Sequence, residues 1–288
     1  MKELFSRALA ALAALTVRQE QQWIWNGTCS ASGLHLIVAR GSTEAPGLGR
    51  IGVVAQNVTL MLPGTSIAAV TYPATFSDYF KSAATGSDQF EKLILEHVAA
   101  CPDTKIALLG YSQGAHALMD AICGSSLEKY FVEPNLTKAY EENVVASVLF
   151  GDPSHTLGAP WNYGTSNKST VLFPRNNITA CEKFAPTIRS WCDTGDVYCD
   201  AGNNTRTHGS YFANYTLDAT EFIVQRFNES SSDGDDNNSD APSPTSGTPT
   251  GSSGTATPTP TGGAGSLSPS WLTPVSAVVL SALYMAAL

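Results

Sequence analysis

Lys105-Ile-Ala-Leu-Leu-Gly-Tyr-Ser-Gln-Gly-Ala-His-Ala-Leu-Met-Asp-Ala-Ile122 is the stretch on which the fold turns. Its first part is a short apolar run with the character of a strand buried on both faces. Gly110-Tyr-Ser-Gln-Gly114 follows at once, and the helical pattern of Gln113 to Ile122 comes next. A G-x-S-x-G pentapeptide between a strand and a helix is a sharp turn whose glycines let the backbone pack closely while the serine hydroxyl stands clear of the sheet. The helix N-terminus beneath it presents free N–H groups to developing negative charge. Ser112 is therefore the candidate nucleophile.

Working outward, similar apolar runs recur at Leu34–Ala39, Ser66–Val70 and Val144–Phe150. Between them, Asp88 to Ala100 carries Phe90, Leu93, Ile94, His97 and Val98 at three-to-four spacing, which predicts a helix. Alternating strands and helices argue for an α/β fold with a mostly parallel sheet.

A serine hydroxyl needs a base to take its proton and an acid to orient that base. Of the five histidines, His35 lies in a predicted strand and His97 on a helix face, so both read as packing residues. His116 sits one turn into the helix after Ser112 and would point along its flank. His155 follows Gly151-Asp-Pro153 in a loop, and His208 lies in a polar loop before the last helix. The order Ser, Asp, His along the chain favours His208, with His155 second. The residues alone leave the acid open among Asp152, Asp193, Asp196 and Asp200, which all lie in loops.

The chain has 288 residues, 43% of them hydrophobic, and a formal charge of −9. That content excludes a fully disordered chain, and the absence of a basic patch argues against a nucleic-acid partner. No long central apolar run suggests a multi-span membrane protein. Residues 1–18 combine a basic start with an apolar stretch and read as a secretory signal peptide. Residues 19–228 then form the catalytic domain, and 229–264 a Ser/Thr/Pro-rich stalk that has little to bury. Residues 265–288 end in an apolar tail behind small residues, the pattern of a glycosylphosphatidylinositol (GPI) attachment signal and so of the chain's one membrane contact. Gly262–Ala264 and Gly251–Gly254 are the candidate attachment regions.

Nine Asn-x-Ser/Thr sequons, at Asn26, Asn57, Asn135, Asn167, Asn177, Asn203, Asn214, Asn228 and Asn237, fit a secreted glycoprotein. Six cysteines in such a compartment point to disulfides, and no C-x-x-C spacing suggests zinc. No heptads suggest association, so a monomer is expected.

Several stretches, in order along residues 29 to 227, resemble the cutinase and acetylxylan esterase family of serine esterases. They are Ala39-Arg-Gly-Ser-Thr-Glu44, Tyr72-Pro-Ala74, Gly110-Tyr-Ser-Gln-Gly-Ala115, Gly151-Asp-Pro153, Cys192-Asp-Thr-Gly-Asp-Val-Tyr-Cys199 and His208-Gly-Ser-Tyr211. The resemblance implies a three-layer α/β-hydrolase sandwich and a triad of Ser112, Asp196 and His208, with Asp152 structural. It also implies an oxyanion hole from Ser42 and Gln113, and the disulfides Cys29–Cys101, Cys123–Cys181 and Cys192–Cys199. Neither a metal nor a cofactor is implied.

Leu118-Met-Asp-Ala-Ile-Cys-Gly124 and Phe173-Pro-Arg175 resemble the acetylxylan esterase branch. Asp200 departs from it, standing where that branch often has a further cysteine. The expected partner is an extracellular polysaccharide ester, with cutin polyester second, since the sequence shows no apolar rim. The alternative from another class is a non-catalytic surface glycoprotein on an esterase fold.

Overall fold

The computed structural model describes residues 23–126, 136–175 and 177–232. The predicted signal peptide, the attachment signal, nearly all of the stalk, and the sequons at Asn135 and Asn237 lie outside the described residues.

Six strands form one sheet: β1 (Leu34–Ala39), β2 (Ser66–Ala69), β3 (Lys105–Tyr111), β4 (Val144–Phe150), β5 (Asn162–Tyr163) and β6 (Ile188–Trp191). Their order is β2-β1-β3-β4-β6-β5, and every neighbouring pair is parallel. All of β1 and all of β4 is buried. That burial explains why these strands read as unbroken apolar runs rather than alternating ones.

The described helices are α1 (Gly52–Met61), α2 (Tyr79–Ala100), α3 (Gln113–Cys123), α4 (Thr137–Asn143), α5 (Thr179–Glu182), α6 (Thr205–His208), α7 (Tyr211–Asn214) and α8 (Thr216–Ser232). Side chains alternate across each strand, so the sheet feeds two cores. Ile37, Ile106 and Leu108 pack with Phe90, Ile94, Leu118 and Ile122 of α2 and α3. Leu36, Val38, Leu109 and Phe150 pack with Val54, Val58 and Ile223 of α1 and α8. The result is an α/β fold with a parallel sheet, as the strand-helix pattern implied, in the three-layer sandwich that the family resemblance implied.

Five elements differ from the sequence reading. Helix α2 starts at Tyr79, nine residues before the predicted Asp88. Its first half buries Ser82, Ala83, Gly86 and Ser87 and packs against α3. Small residues permit that close approach but carry no apolar periodicity. Helix α8 continues to Ser232, so Glu229–Ser232, assigned to the stalk, are helical. Helix α1 and the short strands β5 and β6 were not anticipated.

Disulfides join Cys29 to Cys101, Cys123 to Cys181 and Cys192 to Cys199. They suit an oxidising compartment such as the secretory route. Among the described residues, no helix is long and apolar enough to cross a membrane. His35 and His97 are packing residues: their rings stack at 4.0 Å and 6°, with Trp25 4.7 Å from His97.

Candidate active site

Ser112 stands between β3 and α3 at φ +53° and ψ −119°. This is a conformation that L-residues adopt only where the surroundings enforce it. The enforcement is local. Ser112 N–H donates to Phe150 O of β4 at 2.9 Å, and His116 N–H donates to Ser112 O at 3.0 Å, starting the helix. A Cβ on Gly114 would lie 2.4 Å from Ala39 O, so only glycine lets α3 start against the end of β1. Gln113 is held through its buried side chain, which accepts from Ser82 Oγ at 2.9 Å and donates to Thr75 O at 3.1 Å.

The loop after β1 carries Ser42 at this same end of the sheet. Arg40 and Tyr72 lock its base: Arg40 Nη2 donates to Tyr72 O at 2.7 Å, and the Tyr72 hydroxyl donates back to Arg40 O. Glu44 then closes the loop by accepting from Gly41 N–H at 2.7 Å and Arg50 N–H at 3.1 Å. Thr43 N–H donates to Ala74 O at 2.7 Å. Ser42 Oγ is left buried with no hydrogen-bond partner. These contacts give a physical account of the Arg40–Glu44 and Tyr72–Ala74 stretches, which otherwise are only strings of residues.

Asp196 and His208 are brought together. His208 Nδ1 lies 2.8 Å from Asp196 Oδ2 and 3.1 Å from Oδ1. The carboxylate, fully buried, also accepts from the Tyr211 hydroxyl at 2.6 Å and from Tyr198 N–H at 2.7 Å. Burial pushes the Asp196 carboxyl upward. The hydrogen bond and charge of His208, with the Tyr211 and Tyr198 donors, outweigh it and hold Asp196 below the usual carboxylate value. Tyr211 is a site residue the sequence reading quoted without a role. Its spacing in His208-x-x-Tyr211 was the available signal, placing it three residues past the imidazole.

The His208 ring stacks on Tyr111, the residue before Ser112, at 5.1 Å, and meets Tyr198 at 4.5 Å. Beneath it is Gly151, where a Cβ would lie 2.7 Å from His208 Cε1. Ser112 and His208 thus share the carboxyl end of β3 and β4, where an open parallel sheet places its sites. His208 Nε2 is buried and unpartnered, so no hydrogen bond joins it to Ser112 Oγ. Such bonds are often long in ligand-free enzymes.

The other candidates are engaged elsewhere. His116 contacts Tyr79 Oη at 3.0 Å and Ser126 Oγ at 2.8 Å, within a buried network where Arg175 pairs with Asp120 at 2.6 Å. Asp152 accepts from the backbone and hydroxyl of Ser154, an aspartate-capped turn. Asp193 accepts from Thr165 and the Tyr215 hydroxyl. Asp200 accepts from Ser166 Oγ and Gly195 N–H, bracing the Asp196 loop without a further cysteine. His155 is buried, and burial lowers its pKa. Among the described residues no group of three or more His, Cys, Asp or Glu could hold a metal ion.

The sequence showed no apolar rim, and the structure places exposed apolar side chains on segments next to the site. Phe76 (51% exposed), Val171 (74%) and Leu172 (40%) reach solvent. Phe76 stacks on Tyr198 at 6.3 Å, and Tyr198 touches His208. Thr170, beside Val171 and Leu172, donates to Tyr198 O at 2.7 Å. These residues come from three separate segments, so no local pattern could reveal the patch.

Comparison with known proteins identifies the family. Residues 30–227 match the family described as Cutinase. The chain is 30% identical to Cutinase 11 of Verticillium dahliae over 241 residues, covering 80% of this chain and 77% of that one. It is 30% identical to Acetylxylan esterase 2 of Talaromyces purpureogenus over 240 residues, covering 78% and 98%. The catalytic core of the acetyl xylan esterase from Trichoderma reesei superposes with a TM-score of 0.63 at 30% identity, over 69% of this chain and all of that one. With a family match across most of its length and relatives of this coverage, the chain belongs to the cutinase family of carboxylic ester hydrolases.

Proposed function

We propose that the protein is a secreted serine esterase that deacetylates acetylxylan or a similar short-acyl polysaccharide ester. The observation that carries the esterase chemistry is a buried carboxylate bonded to His208 Nδ1, with the opposite nitrogen unpartnered and the ring stacked on Tyr111, the residue before a strained Ser112. Asp196 holds His208 in the tautomer with a proton on Nδ1, so Nε2 is the base. Nε2 takes the Ser112 proton as Oγ attacks the ester carbonyl. The oxyanion is met by Gln113 N–H together with the backbone N–H and the unpartnered hydroxyl of Ser42. His208 then gives its proton to the departing sugar alcohol. Water, activated by the same nitrogen, releases acetate from the acyl-enzyme. The signal peptide and GPI signal read in the sequence would place the enzyme outside the cell, tethered by residues 229–264.

The apolar rim favours a second reading, in which longer acyl chains or a cutin-like polyester lie along Phe76, Tyr198 and Leu172. Initial rates on p-nitrophenyl esters from acetate to dodecanoate, beside acetylated xylan, separate the two. A steep fall beyond butyrate with acetate release from xylan is expected. Sustained rates on long chains with none on xylan would favour the polyester reading. Ser112→Ala should lose at least about 10⁴-fold in rate. Equal, negligible rates for both proteins would leave only a non-catalytic surface glycoprotein.

A further inference from the structure

An acetyl group offers little to bind, so an enzyme for a polysaccharide ester must hold the sugar outside the reacting centre. One cleft adjoins the segments that carry both Ser42 and His208. It has a volume of about 430 Å³ and is lined by Trp23, Glu44, Arg50, Gln56 and the turn from Ala45 to Gly49. That size lies within the range of small-molecule sites. Its wall at Glu44 closes the Ser42 loop by accepting from Gly41 N–H at 2.7 Å. Its wall at Arg50 donates to Gly209 O at 2.8 Å, the residue after His208.

The chemistry of the lining selects the ligand. The Glu44 carboxylate accepts from the backbone N–H of Arg50 at 3.1 Å, so the lining carries one acidic and one basic side chain and no net charge, which suits a neutral molecule. The Arg50 guanidinium carbon lies 4.2 Å from the centre of the Phe212 ring. The Gln56 side chain is exposed on α1 and has no hydrogen-bond partner among the described residues. Trp23 is half-buried, with Gly47 against the edge of its indole. An aromatic face beside planar polar groups matches a pyranose, which is apolar on its C–H face and hydroxylated at its edge.

We infer that this cleft is a sugar subsite, holding a pyranose of the polysaccharide chain on the alcohol side of the ester. Trp23 packs on the ring face, while Gln56 and Arg50 bond its hydroxyls. The assignment rests on the esterase reading but can fail separately from it.

The test is calorimetric titration of the full chain with unacetylated xylotetraose, which has no ester to be hydrolysed. Saturable binding is expected, about tenfold or more weaker in Trp23→Ala and nearly retained in Trp23→Phe. Gln56→Ala, an exposed change that leaves the fold alone, should weaken it several-fold, and melting curves check each variant. Absence of binding by the wild type, or equal affinity in Trp23→Ala and Gln56→Ala, would overturn the subsite. Hydrolysis of p-nitrophenyl acetate, which carries no sugar, reports on the esterase reading alone. A protein that hydrolyses it without binding xylotetraose has the proposed activity and lacks the subsite.

Discussion

Asp196 is surrounded by donors, and the one that shares with His208 the nearer carboxylate oxygen, Oδ2, is Tyr211. The phenol is fully buried, donates to Asp196 Oδ2 and accepts from Asp193 N–H at 3.1 Å. Burial and the Asp196 charge push its own pKa far up, so it remains a donor. A hydrogen bond to a charged acceptor contributes about 1.5–3 kcal/mol. Tyr211→Phe keeps the ring in place and removes only that bond. Deprived of the donor, the carboxylate holds more charge toward the imidazole and favours its protonated form. The acidic limb of kcat/KM on p-nitrophenyl acetate should therefore move to higher pH, with a fall in the plateau of about tenfold. A lowered plateau with an unmoved limb would mean that Tyr211 only fills space. The sequence offered this residue as part of a motif, and the tertiary structure sets its role by bringing its hydroxyl to Asp196.

Strand β1 and helix α2 meet through His35 and His97, both buried. Burial lowers His35 to a pKa of about 3, helped by the neighbouring His97, and lowers His97 to about 4. The unfolded chain takes up protons at both positions as the pH drops below 6.5, while the folded protein does not. Stability from this pair is thus complete above about pH 6.5 and falls as the pH drops toward 4, by about 1.4 kcal/mol per histidine per unit. His97→Phe preserves the stack and removes one titration. Melting temperatures between about pH 7 and 4.5 should decline less steeply in this variant than in the wild type. Parallel curves would show that His97 is protonated in the fold. The sequence reading of both as packing residues was correct, because a histidine inside an apolar strand or on a helix's inner face has few other roles. That the two stack on each other was not legible, since 62 positions of chain separate His35 from His97.

Across the whole molecule, the disulfides divide the work of stability and geometry. Cys29–Cys101 closes 72 residues and Cys192–Cys199 only 7, so loop entropy assigns them about 4 and about 2 kcal/mol. Replacing the first pair by alanine should lower the melting temperature most while sparing the ester hydrolysis rate at 25 °C. Replacing the second should cost less stability and most of the activity, because that bridge brackets Asp196. Melting curves and p-nitrophenyl acetate rates on both double variants check the ranking. An activity loss that follows stability loss in both would remove any special role for the short bridge. This division follows from where the sheet ends lie. The long bridge ties the N-terminal segment to the end of α2, and the short one stands beside the imidazole.

The sequence by itself determined the two-sided parallel sheet, the elbow at Ser112 and the family, because each is encoded in local windows. Apolar runs mark buried strands, and a glycine-flanked serine between strand and helix marks the turn. The residues alone left four loop aspartates open, and the family resemblance pointed to Asp196; the tertiary structure brings that carboxylate to His208 and shows Asp152, Asp193 and Asp200 bracing turns instead. It alone revealed the rim of Phe76, Leu172 and Tyr198 and the cleft between Trp23 and Gln56. A hydrogen-bond partner or a surface patch is assembled from segments far apart in the chain. Their proximity is set by the packing of the helices on the sheet rather than by any periodicity within a segment.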